Sequence, residues 1–528
     1  MARVLVSDKV DRAGVDLLSA AGHEVDLRPG MAPGELASVI GGYEALVIRS
    51  ETQVTADLLA QADRLQVVGR AGVGVDNVDL DAATQRGIVV VNAPTGNTVA
   101  AAEHALALML ALMRHVPQAH ASMREGKWER AKFLGAQLGG KTLGVVGLGK
   151  VGSEVARRAK AFQMEVLGYD PYVPHEFARN LGAELVDMDA LLTRSDVITI
   201  HTPLTAATRQ LIGAEQMPKL KDGVRIVNAA RGGLVDEALL DQAIRDGKVA
   251  GAALDVFVSE PPAPDSPLLA NPKVIVTPHL GASTEEAQAQ VAVEVAEEVL
   301  AVLSGGAARY TVNVPAVPAE VREALGPYIP VADTMGRIAI QLAEGQLQSV
   351  ALRVSGRIAQ FDTSLLAAAA LAGILGATSD ERVNLVNAPH LAEEHGLRIE
   401  EHKSQEADDE YSNMVGIEVR ASRGAVFVGG SVVGGSVHLL RLDDFYVDLQ
   451  PSTPYMLFTT HRDQPGMIGK VGTISGNHDL NIGFMEVGRV GPRGEATMIV
   501  GYDEPLTDEV VAEISAIEGI GSVRLVTL

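Results

Sequence analysis

The stretch TLGVVGLGKVGSEVARRAKAFQMEVLGYD, residues 142–170, decides how the chain is read. An apolar run (Leu143, Val145, Val146) gives way to three glycines, Gly147, Gly149 and Gly152, spaced G-x-G-x-x-G. A helical segment follows, and a second apolar run ends at Asp170. This order predicts a parallel βαβ unit. The first two glycines allow a tight turn and a close backbone approach to a pyrophosphate. The third lets the helix lie close to the strand, and the helix N-terminus favours an anion. Asp170 stands about 20 residues on, where an acid reaches a ribose hydroxyl. A carboxylate there disfavours the 2′-phosphate of NADP, and no arginine follows in DPYVPHEF (170–177), so NAD is the expected cofactor.

The same alternation extends both ways. Residues 1–93 read as strands (RVLVSD, ALVIRS, QVVGRA, GIVVVNA) separated by helical segments, which predicts a parallel sheet with helices on both faces. One long helical pattern covers 98–126. A second βα series runs from KTLGVVGLG through DVITIHT, VRIVNAA and VAGAALDVF to KVIVTPHLG, and a helix over 284–304 closes it. SGGAARYTVNVPAVP (304–318) reads as a linker. The region 319–453 is mixed α+β, with a small-residue stretch at 365–377 read as a buried helix and a charged patch at 400–410 read as a solvated loop. From Tyr455 onward the order is strand, helix, strand, strand, helix, strand, the ferredoxin-like plan.

The 528 residues are 47% hydrophobic, ample for several cores, and carry 67 acidic against 44 basic side chains, a net charge of −23. Such a surface repels nucleic acid and anionic lipid, so neither is an expected partner, and an anionic ligand has to be met by a local cation cluster. The absence of cysteine removes disulfides, thiolate nucleophiles and thiolate metal sites, and no metal site is expected. No secretory signal and no stretch of about 20 apolar residues is found, so the expectation is a soluble, cytoplasmic protein.

Arg231, Glu260 and His279 follow consecutive strands of the second series (NAARGG, LDVFVSEPP, VTPHLGAS). In an open parallel sheet the carboxyl ends of strands line one crevice, so all three are placed to meet a bound nicotinamide. Oxidising a hydroxy acid requires a general base for the hydroxyl proton, and histidine suits neutral pH. A carboxylate on its other ring nitrogen fixes the tautomer. An arginine clamps a substrate carboxylate with two parallel bonds, and small neighbours clear room for it. Taken singly, each has a plainer use: Arg231 as a surface charge pairing with Asp236, Glu260 as a turn residue, His279 as a satisfied loop histidine.

These residues, with RAGVGVDNVD, AEHALALML, GVVGLGKVG and TPHLGAS in order, resemble the D-isomer-specific 2-hydroxyacid dehydrogenases over about residues 1–310. The resemblance implies Arg231 as substrate clamp, His279 as acid/base and Glu260 as its partner. It implies a substrate-binding domain made of 1–97 and 280–305 around an NAD-binding domain, 98–279. Cofactor contacts are implied at Gly147, Gly149, Lys150, Val151, Gly152 and Asp170. Others are implied at Thr202, Ala229, Ala230 and Arg231, then at Asp255, His279, Gly281 and Ala282.

Local cations point to the phosphoglycerate dehydrogenase branch of this family. Arg49 and Ser50 end one strand, Arg70 precedes Gly72 and Gly74, and Asn97 lies at the crossover between domains. Arg49, Ser50 and Asn97 match that branch's substrate-contacting positions. The segment 126–132, with Trp128, Arg130 and Lys132, resembles its dimer-crossing stretch, which implies Arg130 in a neighbour's site. Residues 454–528 resemble an ACT domain through HRDQPGMIGKVGTISGNHDLNI, implying an effector site of Asp463 and Asn481, with His461 open in role. An intervening regulatory domain over 319–453 completes the resemblance. The implied reaction is oxidation of 3-phospho-D-glycerate to 3-phosphooxypyruvate by NAD⁺, the first step of L-serine biosynthesis, in a homotetramer restrained by L-serine. Reduction of glyoxylate or hydroxypyruvate is the nearest rival within the class, and an NAD sensor or corepressor the rival outside it.

Overall fold

The computed structural model describes residues 1–306, 308–314, 317–379, 382–406 and 411–528. The four apolar runs at the N-terminus pair in parallel as Arg3–Val6, Ala45–Ile48, Val67–Arg70 and Val89–Asn92. A fifth strand, Glu24–Leu27, adds at the edge beside Arg3–Val6. Its partly exposed EVDL lacks the apolar run that marks the others, which hid it in the sequence. The long helix Glu285–Leu303 returns to this sheet, where a Cβ on Gly69 would lie 2.7 Å from a Val299 methyl. The chain therefore leaves the first sheet near residue 97 and comes back after residue 280.

The excursion builds seven parallel strands in the order Val274–Val276, Val249–Leu254, Val224–Asn228, Val197–Ile200, Thr142–Val146, Glu165–Tyr169, Glu184–Leu185. Strand order reverses beside Thr142–Val146, so the glycine-rich turn after it opens at the crevice where such sheets bind ligands. Both sheets are Rossmann-like, as expected. The helical pattern over 98–126 is two helices, Thr98–Arg114 and Val116–Arg124, bent by 64° at His115, whose φ is 54°. Pro117 has no N–H to offer the Met113 carbonyl, which accepts from Ala136 N–H at 2.9 Å instead. Among the described residues no single helix is long and apolar enough to cross a membrane, although this bent pair passes that test by length and composition.

The segment read as a linker is tied down over part of its length. Asn313 accepts from Val90 N–H at 2.8 Å and donates to Ile88 O at 2.9 Å, and Thr311 bridges Val91. Residues 307, 315 and 316 of that reading lie outside the described residues.

Beyond it, six strands run in the order Ile399–Ser404, Leu347–Gly356, Asn413–Ala421, Gly424–Val433, Ser436–Leu442, Phe445–Leu449. Helices Ile329–Leu342 and Ser364–Gly376 pack on them, the second buried through most of its length as its composition predicts. The charged patch is corrected: its first residues belong to the exposed edge strand Ile399–Ser404, since charged side chains suit a strand edge open to water. Residues 407–410 of the patch lie outside the described residues.

The last four strands are antiparallel in the order Ile482–Arg489, Glu495–Tyr502, Tyr455–Arg462, Ile520–Thr527, with helices Met467–Asn477 and Asp508–Ser515 on one face. Alternation sends Leu457 toward Val471 and Ile514 under those helices. It sends Met456 and Phe458 the other way, into one core with Ile338, Leu342 and Val428 of the six-stranded region. The C-terminal unit is thus buried on both faces. Phe458→Ala should cost about 3–5 kcal/mol. Urea unfolding followed by probes in each region should show both shifting together.

Candidate active site

Strand Val224–Asn228 ends in a turn made by its own last side chain. Asn228 accepts from Ala230 N–H at 3.1 Å and donates to Arg231 O at 2.8 Å. Gly232 then passes so close to the Phe257 carbonyl that no Cβ fits. The turn delivers Arg231 to the crevice, with Nη1 on Ala230 O at 2.7 Å and Nε on Asp76 Oδ2 at 3.2 Å. Asp76 comes from GVGVDNVD in the first sheet's half, so this ion pair spans the two halves. The pairing of Arg231 with Asp236 does not form. Asp236 instead caps helix Glu237–Arg245, accepting from Ala238 and Leu239 N–H groups.

His279 ends the turn after Val274–Val276 with a φ of 53°, a left-handed conformation uncommon for a residue with a side chain. Its N–H donates to Asp255 O at 2.8 Å. Its Nδ1 lies 2.8 Å from Glu260 Oε2, and Glu260 Oε1 accepts from Phe257 N–H at 3.0 Å. Burial by itself would raise the Glu260 carboxyl, but the bonds from His279 and Phe257 N–H outweigh it and hold the group below the usual range. The charge of Arg231 acts in the same direction, which puts the arginine within electrostatic reach of the pair. With Nδ1 engaged, Nε2 is the nitrogen left for a substrate.

A cation cluster adjoins Arg231. The Arg70 guanidinium is pushed down to about 10, first by burial and then by the charges of Arg231 and Arg49, with Asp76 and Asp8 opposing. Its Nε is buried without a partner. A Cβ on Gly72 would strike the Arg70 guanidinium, and one on Gly74 that of Arg231. Asp8 accepts from Arg49 N–H at 2.6 Å, fixing the strand end that also presents the exposed Ser50. Asn97, the N-cap residue that precedes helix Thr98–Arg114, has a buried Oδ1 with no partner. Arg130 stands apart on the exposed turn Arg130–Phe133, with no ion pair to the cluster. Arg70 was visible as a cation in the sequence. Asp76 carried no signal, because its contact joins residues far apart in the chain.

The glycine turn is shaped as its spacing predicts. Gly147 has a φ of 92°, Gly152 abuts the Gly147 carbonyl where a Cβ would collide, and Gly149 faces open space. Asp170 accepts from Leu148 N–H at 2.9 Å and Tyr172 N–H at 2.9 Å, keeping lone pairs for a ligand hydroxyl. Leu148, Val173, Pro174 and Phe177 wall an adjoining cavity of about 520 Å³. Thr202 Oγ1 is buried beside the turn without a partner. Lys150 lies over the Tyr310 ring, 5.4 Å from its centroid, and Val151 is half-buried behind it. Ala229 and Ala230 are half-buried at the neighbouring strand end, and Gly281 and Ala282 follow His279. Open backbone, an acid and an apolar wall fit a dinucleotide. Asp255, implied as a cofactor contact, is fully buried beside the His279 turn, with Thr277, Leu280 N–H, Gly281 N–H and His104 on its carboxylate.

His201 follows strand Val197–Ile200 behind the same turn, and burial holds it down to about 4. Unfolded histidine titrates near 6.5, so stability is fully present above that pH and falls as pH drops toward about 4. His201→Asn should flatten the Tm-against-pH curve in that window.

In the C-terminal unit, Asp463 is paired with Arg489 at 3.4 Å and accepts from Arg493 N–H at 3.0 Å. Asn481 donates to Asp503, and no hydrogen bond joins it to Asp463 within the chain. His461 is buried with Nδ1 unpartnered, and burial lowers its tendency to charge.

Comparison with known proteins agrees with this geometry. Residues 106–281 match the model of the D-isomer specific 2-hydroxyacid dehydrogenase NAD binding domain, and 324–441 that of the D-3-phosphoglycerate dehydrogenase intervening domain. The chain is 45% identical over 520 residues to a D-3-phosphoglycerate dehydrogenase of Archaeoglobus fulgidus, covering 98% of each. It is 45% identical over 530 residues to one from Synechocystis, covering 100% of this chain and 95% of the other. A D-lactate dehydrogenase from Aquifex aeolicus, solved with NAD and lactic acid, superposes with a TM-score of 0.52 at 29% identity, covering 57% of this chain and 96% of that one. On the sheet order, the nucleotide turn and these likenesses together, the chain belongs to the D-3-phosphoglycerate dehydrogenases, NAD-dependent enzymes of the D-2-hydroxyacid dehydrogenase family.

Proposed function

We propose that the chain oxidises 3-phospho-D-glycerate to 3-phosphooxypyruvate, the step that opens L-serine biosynthesis. The observation that carries this is the His279–Glu260 pair together with the Arg70 and Arg231 guanidiniums crowding Gly72 and Gly74, where the charges of Arg231 and Arg49 both act on Arg70, in a chain of net charge −23. Three guanidiniums gathered there suit a substrate bearing both a carboxylate and a phosphate. NAD⁺, when bound, would accept the hydrogen of the hydroxyl-bearing carbon together with its bonding electron pair, as hydride.

His279 Nε2 takes the hydroxyl proton. Glu260, kept ionised, holds Nδ1–H and stabilises the imidazolium that forms. Arg231 grips the substrate carboxylate with the guanidinium edge that Asp76 leaves free, and opposes charge growing on the carbonyl oxygen. Arg49 and Arg70, with Ser50, take the phosphate. Asn97 and the backbone at Gly72 and Gly74 complete the pocket, and Arg130 is assigned to a neighbour's site. Lys150 and the N–H groups around Gly149 and Gly152 meet the cofactor pyrophosphate, and Thr202 offers its hydroxyl. Residues 1–97 and 280–305 serve as the substrate domain and 98–279 as the cofactor domain.

The C-terminal unit acts as an ACT domain in a homotetramer. Asp463 of one copy and Asn481 of another hold L-serine beside His461, in a cytoplasmic enzyme restrained by its pathway's end product. Millimolar serine should raise Tm and slow turnover, and Asp463→Ala should remove both effects while sparing basal rate. If serine moves neither quantity in the unaltered enzyme, the regulatory part fails.

A further inference from the structure

Beneath the His279 turn lies a buried network that the reaction above does not use. Asp255 is fully buried at the end of strand Val249–Leu254, yet its carboxylate meets four groups. Leu280 N–H donates at 2.8 Å and Gly281 N–H at 2.9 Å, the two amides directly after His279. Thr277 Oγ1 donates at 2.6 Å, and His104 Nε2 lies 3.1 Å from the same oxygen, Oδ1. His104 Nε2 is also 3.2 Å from Thr277 Oγ1. His104 comes from helix Thr98–Arg114, which starts at the crossover between the two halves. There Glu294, itself buried, accepts from Gly96 N–H at 2.9 Å.

A buried carboxylate is costly unless each of its oxygens is satisfied. Here that same carboxylate collects the amides that keep His279 in its left-handed conformation. Without the His104 donor, Asp255 loses one of its anchors, and the turn loses part of the force that fixes the imidazole against Glu260.

We infer that His104 is a positioning residue: through Asp255 it holds the His279 turn, and so ties the orientation of the base to the helix that begins at the interdomain crossover. This rests on His279 acting as the base. The proposed reaction gives His104 no contact with the hydroxy acid, so its removal should show in the chemical step and spare binding of that substrate.

The test compares His104→Leu with His104→Gln in the full-length enzyme, using 3-phospho-D-glycerate and NAD⁺. A glutamine amide nitrogen reaches the position of His Nε2 and can donate to Asp255, whereas leucine cannot. His104→Leu should lower kcat by about 10- to 100-fold, as a small displacement of a catalytic group does. KM for 3-phospho-D-glycerate should stay within about twofold, and His104→Gln should recover most of kcat. If His104→Leu gives no folded protein, His104→Ala is compared with His104→Gln in the same way. Equal kcat in the apolar and glutamine variants, or a loss confined to KM, overturns the inference. A parallel His279→Ala separates the two failures. If His279→Ala keeps full turnover, the reading of the base is wrong. If it abolishes turnover while His104→Leu matches the unaltered enzyme, only the role of His104 is wrong.

Discussion

His279→Ala is expected to lower kcat by about 10²- to 10⁴-fold with little change in KM for NAD⁺, the range that removal of a general base produces. The expectation follows from geometry. The His279 imidazole has Nδ1 committed to Glu260 at 2.8 Å, and Glu260 is in turn held by Phe257 N–H at 3.0 Å. Because the Glu260 carboxyl is held below its usual range, it stays ionised at neutral pH and favours the tautomer with Nε2 free to accept. In the proposed role of His279, alanine removes the proton acceptor and leaves the glycine turn around Gly147 intact. Glu260→Gln should give a smaller loss in kcat, since the imidazole remains but its charged form loses a carboxylate partner. Steady-state rates in both directions, with burst-phase measurements to isolate chemistry, check the two values.

Arg231→Lys is expected to lower kcat/KM by about 10²- to 10³-fold although the charge is kept, since each charge-assisted hydrogen bond contributes about 1.5–3 kcal/mol. The guanidinium is fixed at two atoms, Nε on Asp76 and Nη1 on Ala230 O, so its remaining N–H groups project at a set angle. A lysine ammonium cannot keep the bond to Asp76 across the two halves and also present a planar fork. The loss should fall on kcat as well as KM, because in the proposed role the same edge opposes charge developing on the carbonyl oxygen. Product inhibition by the keto acid, which carries the same carboxylate, should weaken in parallel.

The parts of this arrangement legible in the sequence are those written locally. The strand run of 224–228, the small residues after it and the glycine spacing of 147–152 each place a motif at a strand end, and a parallel sheet brings such ends together. The turn at Asn228 and the collision that excludes a Cβ at Gly232 explain in structural terms the small residues that marked Arg231. What stayed hidden depends on contacts between distant segments. Asp76 meets Arg231 only after the two halves close on each other. The hold of Asp255 on the His279 turn depends on amides that face it only once that turn forms. His104 sits in an apolar helical pattern that gives no sign of a buried carboxylate beside it. The break at His115 was legible in Pro117, which cannot donate back into the preceding turn, but the apolar helical pattern running on either side obscured it. The shared core behind Phe458 was masked by alternation, which shows that a strand has two faces but not what covers each.

In the proposed function the cation cluster selects a phosphorylated hydroxy acid. The most direct measurement is kcat/KM for 3-phospho-D-glycerate against D-glycerate, taken on the unaltered enzyme and on Arg49→Ala, with NADH formation as readout and the keto acid trapped. A preference for the phosphorylated substrate of about 10²-fold or more, worth about 3 kcal/mol, is expected, largely lost in Arg49→Ala through a rise in KM. Equal rates on the two substrates, or turnover with glyoxylate but none with 3-phospho-D-glycerate, would contradict it.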